Sequence, residues 1–141
     1  MDIEKIMENQ YWIIDILPNR VSDERRISYS KVERYYLSEP QITELRRKQA
    51  ETIIKLTSYY DIHISTECGE NFEEVAEPDV IEKHFVSCVG VNSLYIEIKS
   101  PECLITIDGC DTYMTLYTSS DEVHTLLKKI AGSVGLFIWK A

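Results

Sequence analysis

The chain has 141 residues, of which 44% are hydrophobic and 28% are charged, a size and composition typical of one folded domain over residues 1–141. Its formal net charge of −9 argues against a nucleic-acid ligand, because binding phosphates requires clustered Lys and Arg on one face. No apolar run approaches the roughly 20 residues that cross a bilayer, and the first residues lack a signal-peptide pattern, so we expect a cytoplasmic protein without membrane contact.

Two segments near the start of the chain predict strands. Residues 11–17 are aromatic and β-branched and end at Pro18, a pattern typical of a buried strand. Residues 27–37 then follow an extended pattern rich in Tyr and Val, which predicts a second strand. A short amino-terminal helix over residues 2–9 precedes both, with its apolar residues on one side.

The next segment predicts the first main helix. Residues 38–58 begin with Ser38 as a capping residue and place apolar residues along one stripe, which Gln49 interrupts. Oppositely charged residues four apart support the exposed side. Apolar and polar residues then alternate over 60–64, which predicts a third strand with one face in water.

An acidic segment over residues 66–82 follows. It contains no Lys or Arg and carries seven acidic residues, and it therefore accounts for most of the charge excess: Glu67, Glu70, Glu73, Glu74, Glu77, Asp79 and Glu82. Repulsion among these carboxylates must be offset by solvent, a cation or a basic partner. Gly69 and Pro78 interrupt the segment, and we expect one helical turn near 72–76 and another over 79–85.

The second half predicts an antiparallel meander. Residues 94–99, 103–107 and 112–118 alternate in the manner of strands, and the Asp108-Gly109 pair predicts a hairpin turn between the last two. Many of these strands carry large residues on both sides. The second face of the sheet is therefore either covered by another element or exposed as an aromatic patch.

A second main helix and a last strand complete the chain. Ser119 and Glu122 have capping-box spacing before an apolar stripe, Gly132 is placed to stop the helix, and residues 135–140 predict a strand. The order of elements predicts an α+β fold, a two-layer sandwich in which two main amphipathic helices cover one face of a mostly antiparallel sheet.

Three blocks of sequence carry a resemblance. The blocks are YWIIDILP at residues 11–18, DTYMTLY at 111–117 and GLFIWK at 135–140. They resemble a family of small bacterial cytosolic proteins of unknown function. Because the blocks consist of packing residues at both ends of the chain, the resemblance implies a common fold and no activity.

Site chemistry is sparse in this sequence. Cys68, His84, Cys88 and Cys103 could in principle bind zinc, but their spacing is not that of a zinc knuckle, and buried Cys is common in protein cores. The acidic segment lacks the ligand rhythm of a calcium-binding loop. No nucleophile motif or phosphate-binding loop is present. We therefore expect no metal, no cofactor and no catalysis.

The strongest functional hypothesis is binding of a basic protein partner, as small acidic immunity-like or antitoxin-like inhibitors do by charge. The predicted binding residues are six acids and two neighbouring tyrosines: Glu67, Glu70, Glu73, Glu74, Glu77, Asp79, Tyr59 and Tyr60. The hypothesis fails if the chain's own arginines cover these acids, the candidates being Arg25, Arg26, Arg46 and Arg47. Two alternatives remain open, a homodimer through an exposed aromatic sheet face and a small-molecule pocket between the sheet and the two helices, as in a sensor or enzyme.

Overall fold

Seven strands and five α-helices make up residues 2–141, the part of the chain that the computed structural model describes. The strands are β1 Tyr11–Asp15, β2 His63–Ser65, β3 Glu73–Glu74, β4 Ser93–Ile98, β5 Cys103–Asp108, β6 Met114–Thr118 and β7 Phe137–Lys140. The helices are α1 Ile3–Ile6, α2 Arg26–Tyr36, α3 Gln41–Leu56, α4 Pro78–Val86 and α5 Asp121–Ser133, and a 3-10 turn at Asp23–Arg25 precedes α2.

All seven strands join one antiparallel sheet in the order β3-β2-β4-β5-β6-β1-β7. The predicted meander forms its centre, with β4, β5 and β6 paired in sequence. The first and last strands of the chain then pair with each other, so that Ile13 lies opposite both Thr115 and Trp139. This pairing brings residues that are far apart in sequence onto one end of the sheet.

Helices α3, α4 and α5 cover one face of the sheet. Apolar strand residues of this face and apolar helix residues form one buried core, which includes Ile14, Ile96, Leu116, Ile53 and Leu127, each at 0% exposure. Burial of each such side chain contributes roughly 1.5–3 kcal/mol. The predicted α+β sandwich, with its two main amphipathic helices on one face, is confirmed, and the layer between sheet and helices is filled by side chains.

The strand predicted over residues 27–37 is wrong, because this segment forms the helix α2. Its Tyr and Val residues suggested alternation, but their burial does not alternate, and no residue of α2 is buried. Acidic Asp23 and Glu24 lie just before the helix, where negative charge stabilises a helix amino terminus. The hydroxyl of Ser30 also donates to the carbonyl of Arg26 at 3.0 Å, a bond that satisfies helical backbone rather than a strand ladder.

The ends of the main helices differ in detail from the sequence expectation. The carboxylate of Glu39, not the hydroxyl of Ser38, accepts from the Thr43 amide at 3.2 Å at the start of α3. At α5 the hydroxyl of Ser120 caps the Val123 amide at 3.3 Å. Gly132 lies inside α5, and the residue with positive φ after the helix is Gly135.

A buried arginine ties α3 to the loops at one end of the sheet. The guanidinium of Arg46, at 0% exposure, donates to the carbonyl oxygens of Cys88 at 2.9 Å, Gly109 at 3.1 Å and Asp111 at 2.9 Å. It also donates to the side-chain oxygen of Gln49 at 2.9 Å. The side-chain amide of Gln49 in turn donates to the Thr112 carbonyl at 3.2 Å. Burial lowers the pKa of Arg46. Gln49 interrupts the apolar stripe because it belongs to this polar network.

The second face of the sheet is covered only in part. The short helix α1 packs against β5 at the middle of the sheet, where Ile6 is buried. Helix α2 stands over the other end, near β6, β1 and β7, and a groove remains between helix and sheet. The sequence left open whether this face is covered or exposed as an aromatic patch, and two helices cover it in part.

Candidate functional site

The acidic segment lies at the β3 edge of the sheet and is exposed to solvent. All six acids predicted to bind a partner are exposed, and none has a cation of residues 2–141 within 4.0 Å of its carboxylate. Glu82, the seventh acid of the segment, pairs with Arg47 at 3.2 Å. Arg46 is occupied in its buried network, and Arg26 lies 3.8 Å from Asp23. The chain's own arginines thus cover one acid of seven.

The segment is tied to the sheet by its backbone. The buried hydroxyl of Ser65 bonds to the carbonyl of Glu70 and accepts from the amides of Glu67 at 3.1 Å and Gly69 at 3.2 Å. Strand β3 occupies the place where we expected a helical turn near 72–76, and α4 confirms the helix expected over 79–85. These bonds and the pairing of β3 with β2 fix the backbone at four of the six acids, Glu67, Glu70, Glu73 and Glu74.

The two predicted tyrosine anchors are placed differently. The side chain of Tyr59 is 63% exposed in the loop that links α3 to β2. The hydroxyl of Tyr60 donates to the carboxylate of Glu122 in α5 at 2.8 Å, so this side chain is engaged within the protein. Of the pair, Tyr59 is the one available to a partner.

A groove of about 710 Å³ lies on the second face of the sheet, between α2 and the strands β6, β1 and β7. We call it the α2 groove. Five aromatic side chains line it: Tyr11, Tyr29, Tyr113, Tyr117 and Trp139. The rings of Tyr11 and Tyr117 lie 5.6 Å apart, as centroids, on neighbouring strands. Its volume is within the range of small-molecule sites, and it lies on the face opposite the helix layer where the sequence-based alternative put a pocket.

Charged side chains also line the α2 groove. Asp15 of β1 forms part of the floor and is only 5% exposed, while Glu33 of α2 stands on the opposite wall. Arg20 and Arg26 contribute to the wall that the β1–α2 connection and the start of α2 provide. The groove therefore has acidic and basic groups at different positions along an aromatic floor.

Asp15 has the surroundings of a functional carboxyl group. Burial raises its pKa, and the backbone amides of Ile16 and Leu17 offset part of that rise, the first at 2.7 Å from Oδ1. The indole of Trp139 lowers the pKa slightly, although its buried Nε1 has no partner within hydrogen-bond geometry. A carboxyl group with a perturbed pKa inside a cleft is a common mark of a binding site. Its one signal in the sequence is an acid at the end of an apolar strand.

Tyr29 and Tyr113 both line the groove, one from α2 and the other from the segment before β6. Burial raises the pKa of both hydroxyls, and nearby acids raise them further. The acidic side chains that act on them come from β1, α2, β5 and the β5–β6 loop: Asp15, Glu33, Asp108 and Asp111. Each of these acids disfavours ionisation of a hydroxyl close to it.

The zinc alternative receives no support from the geometry. Cys88 and Cys103 are buried, whereas Cys68 and Cys110 are exposed. Within residues 2–141, no three His, Cys, Asp or Glu side chains come together as a metal ion requires. Burial raises the pKa of Cys103 to about 12, so its thiol stays protonated at neutral pH.

The chain matches no protein-family model, no curated protein and no solved structure. The resemblance to small bacterial proteins thus stays a prediction. Among the helices of residues 2–141, none has the length and apolar character needed to cross a membrane.

We expect Asp15→Asn to raise the melting temperature by about 4 °C at pH 8. A gain of roughly 1 kcal/mol in the free energy of unfolding produces a shift of this size in a domain of this length. The native state raises the pKa of Asp15 above its ordinary value of 3.8, so wild-type stability falls as pH rises from 3.8 through that pKa. Asn keeps an oxygen for the Ile16 amide and carries no charge to desolvate. Scanning calorimetry between pH 3 and pH 8, about the span over which carboxyl groups titrate, measures the difference.

Glu102→Gln is the matched control, because Glu102 is exposed, lies outside the helices, and is solvated by water in both states. Its melting temperature should follow the wild type at every pH. The gain from Asp15→Asn should grow with pH and vanish below the ordinary carboxyl pKa. A gain that stays constant across the pH range would mean that desolvation of Asp15 is not its cause.

Proposed function

We propose that this protein is a non-catalytic binding domain that docks a basic protein through its acidic segment, as immunity-like or antitoxin-like inhibitors do. The observation that carries the proposal is that six exposed carboxylates have no cation of residues 2–141 within 4.0 Å. A cytoplasmic location belongs to the same proposal. Four free cysteines are in keeping with a reducing compartment.

The physical advantage of such a surface is speed and selectivity. A concentrated negative field attracts a basic partner over about one Debye length, ~8–10 Å at physiological salt, and raises the association rate. Each exposed ion pair adds little affinity by itself, about 0–1 kcal/mol. The Ser65 hydrogen bonds hold the segment before binding, which lowers the entropy cost of ordering it. Tyr59 supplies an exposed aromatic anchor near the segment.

A competing explanation is protection of the sheet edge. Glu73 and Glu74 form β3, a two-residue edge strand, and charges on an edge prevent other strands from pairing with it. Lys protects an edge as well as Glu does. Replacing acids by Lys therefore keeps edge protection while it reverses the charge that the binding proposal requires.

The test uses the triple variant Glu70→Lys, Glu73→Lys and Glu74→Lys. Wild-type protein captures its partner from native cells, and association rates of the identified partner are measured at low and physiological salt. We expect the variant to associate roughly 10–100-fold more slowly at low salt and to show a flatter salt dependence. None of the three side chains lies in a helix, so the substitutions leave helix capping intact.

The matched control is Glu8→Lys, Glu24→Lys and Glu102→Lys, which changes the net charge equally at exposed sites outside the segment. Its association rate should fall much less. Equal slowing in both variants would show that total charge, not the acidic segment, guides binding. Unchanged rates in the first variant, or a captured partner without a basic surface, would eliminate the proposed function.

A further inference from the structure

The α2 groove has an uneven charge distribution along its length. Arg26 and Glu33 both line it from α2 and are seven residues apart, which places their backbones about 10 Å from each other along the helix axis. Arg20 lines the groove from the chain just before the helix, near the Arg26 end. Asp15 and Glu33 line the groove near the Tyr29 hydroxyl, away from Arg26. Asp23 also lines the Arg26 end, 3.8 Å from Arg26, so that end has charges of both signs, whereas the Glu33 end is acidic.

Aromatic rings line the acidic end as well. Tyr29, Tyr113 and Trp139 line the groove near Asp15, whereas the paired Tyr11 and Tyr117 line it further along β1 and β6. An aromatic ring presents a negative face, and such faces attract organic cations, most strongly when the cation is desolvated. Asp15 is only 5% exposed, so water screens its carboxylate far less than it screens a surface acid.

We propose that the acidic end of the α2 groove binds a small organic cation, an alkylammonium or guanidinium compound, between the tyrosine rings and the carboxylates of Asp15 and Glu33. The apolar part of the ligand contacts the rings, and its charge replaces the solvent that Asp15 has lost. A bare metal ion does not suit this end, because within residues 2–141 no three His, Cys, Asp or Glu side chains come together to bind one. A volume of about 710 Å³ is sufficient for a molecule of metabolite size.

The ligand is a free small molecule and not a Lys or Arg of the basic partner proposed above. In the sheet order, β3 and β6 are separated by β2, β4 and β5, which places the acidic segment about 19 Å from the groove strands. The groove also opens on the second face, beneath α2, and not at the β3 edge. The inference is therefore independent of the proposed function.

The experiment is an NMR titration of the two indole N–H signals with choline, agmatine and dimethylbutanol, the neutral isostere of choline. Trp139 lines the groove, whereas Trp12 contacts His124 at 4.5 Å and serves as an internal control. We expect choline or agmatine to shift the Trp139 signal saturably and to leave the Trp12 signal unchanged. The neutral isostere should bind at least about tenfold more weakly, because it lacks the charge that the rings and carboxylates attract.

Two variants test the assignment of the carboxylates. Asp15→Asn and Glu33→Gln should each weaken cation binding, Asp15→Asn by about tenfold or more because its charge is the more buried. Glu33 stands on a helix without buried residues, so its variant keeps the test valid if Asp15→Asn disturbs the sheet. Glu24→Gln, outside the groove lining, should bind as the wild type does.

Several results would overturn the inference. Equal binding of choline and its neutral isostere would show a merely apolar groove, and a Trp139 shift with inorganic phosphate alone would assign the site to the arginine end. No saturable shift with either cation would also reject it. A Trp139 shift seen only with a lysine-rich peptide would mean that the cation belongs to a protein partner. None of these results depends on the association rates that test the acidic segment.

Discussion

Replacing Arg46 by Met is expected to lower the free energy of unfolding by about 3–5 kcal/mol, because several buried hydrogen-bond acceptors lose their donor together. The side chain is 0% exposed, and its loss leaves the carbonyls of Cys88, Gly109 and Asp111 without their donor. Each buried group left unsatisfied costs roughly 1–3 kcal/mol. Met fills much of the volume, and it removes the desolvation cost of the guanidinium, so we expect a value near the lower limit.

Urea unfolding followed by circular dichroism measures this loss, and the neighbouring residue provides the control. Arg47 is exposed and forms a surface ion pair with Glu82 at 3.2 Å, so Arg47→Met should cost at most about 1 kcal/mol. Arg46→Lys keeps a positive charge but cannot reach three carbonyls and Gln49 with one ammonium group. It should be as unstable as Arg46→Met. Wild-type stability in the Lys variant would mean that charge, and not the guanidinium fork, is what this site requires.

The Arg46 network also connects the helix layer to the α2 groove. Arg46 and Gln49 hold the carbonyls of Asp111 and Thr112, and the next residue, Tyr113, lines the groove on the other side of the sheet. Loosening this loop should displace Tyr113 from the position it shares with Tyr29. A polar cluster on one face thus supports the candidate site on the other.

Helices and strands could be predicted from the sequence where a single hydrophobic period dominates the segment. The meander β4–β6 alternates with period two, and α3 and α5 have clear apolar stripes, so tertiary packing agrees with local pattern. Helix α2 was missed because its side chains are never buried, which leaves its sequence without a core-facing stripe to reveal the period. Its Tyr and Val content then suggested a strand.

The acidic segment could be located from charge alone, because clustering in sequence becomes clustering in space over a short stretch. The α2 groove could not, since pairing of β1 with both β6 and β7 brings Asp15, Tyr113 and Trp139 together, and Glu33 reaches them only because α2 lies over these strands. Helix α2 forms the second wall of the groove, so a strand predicted over residues 27–37 leaves that wall out. The usable signals were the acid in β1 and the spacing of Tyr113 and Tyr117, which places both on one face of a strand.

Gly109→Ala is expected to destabilise the protein by about 3 kcal/mol, the upper limit of ordinary overpacking. A Cβ atom at Gly109 would lie 2.5 Å from the carbonyl carbon of Val89 and 2.7 Å from the carbonyl oxygen of Gly90. Both atoms belong to backbone, so no side-chain rotation relieves the contact. Moving the loop would also stretch the bond from the Gly109 amide to the Asn92 carbonyl, now 2.7 Å, and the bond from Arg46.

Gly132→Ala is the contrasting substitution, because Gly132 lies within α5 and a Cβ there meets no atom within 4 Å. It should raise the free energy of unfolding by about 0.5–1 kcal/mol, since Ala restricts the unfolded chain and favours helix. If Gly132 ended the helix, as the sequence suggested, Ala would instead destabilise it. The same urea experiment therefore tests both positions with opposite expected signs.

The double variant Arg46→Met and Gly109→Ala separates a shared cause from two independent ones. The tight contact at Gly109 could matter because it places the Gly109 carbonyl beneath Arg46. In that case Gly109→Ala should lower the free energy of unfolding by less when Arg46→Met is already present. We expect the combined loss to be smaller than the sum by at least about 0.5 kcal/mol, as is typical of residues in one hydrogen-bond network. Strictly additive losses would show that steric crowding alone explains why glycine occupies this turn, and that the Asp108-Gly109 pair serves close packing independently of the arginine.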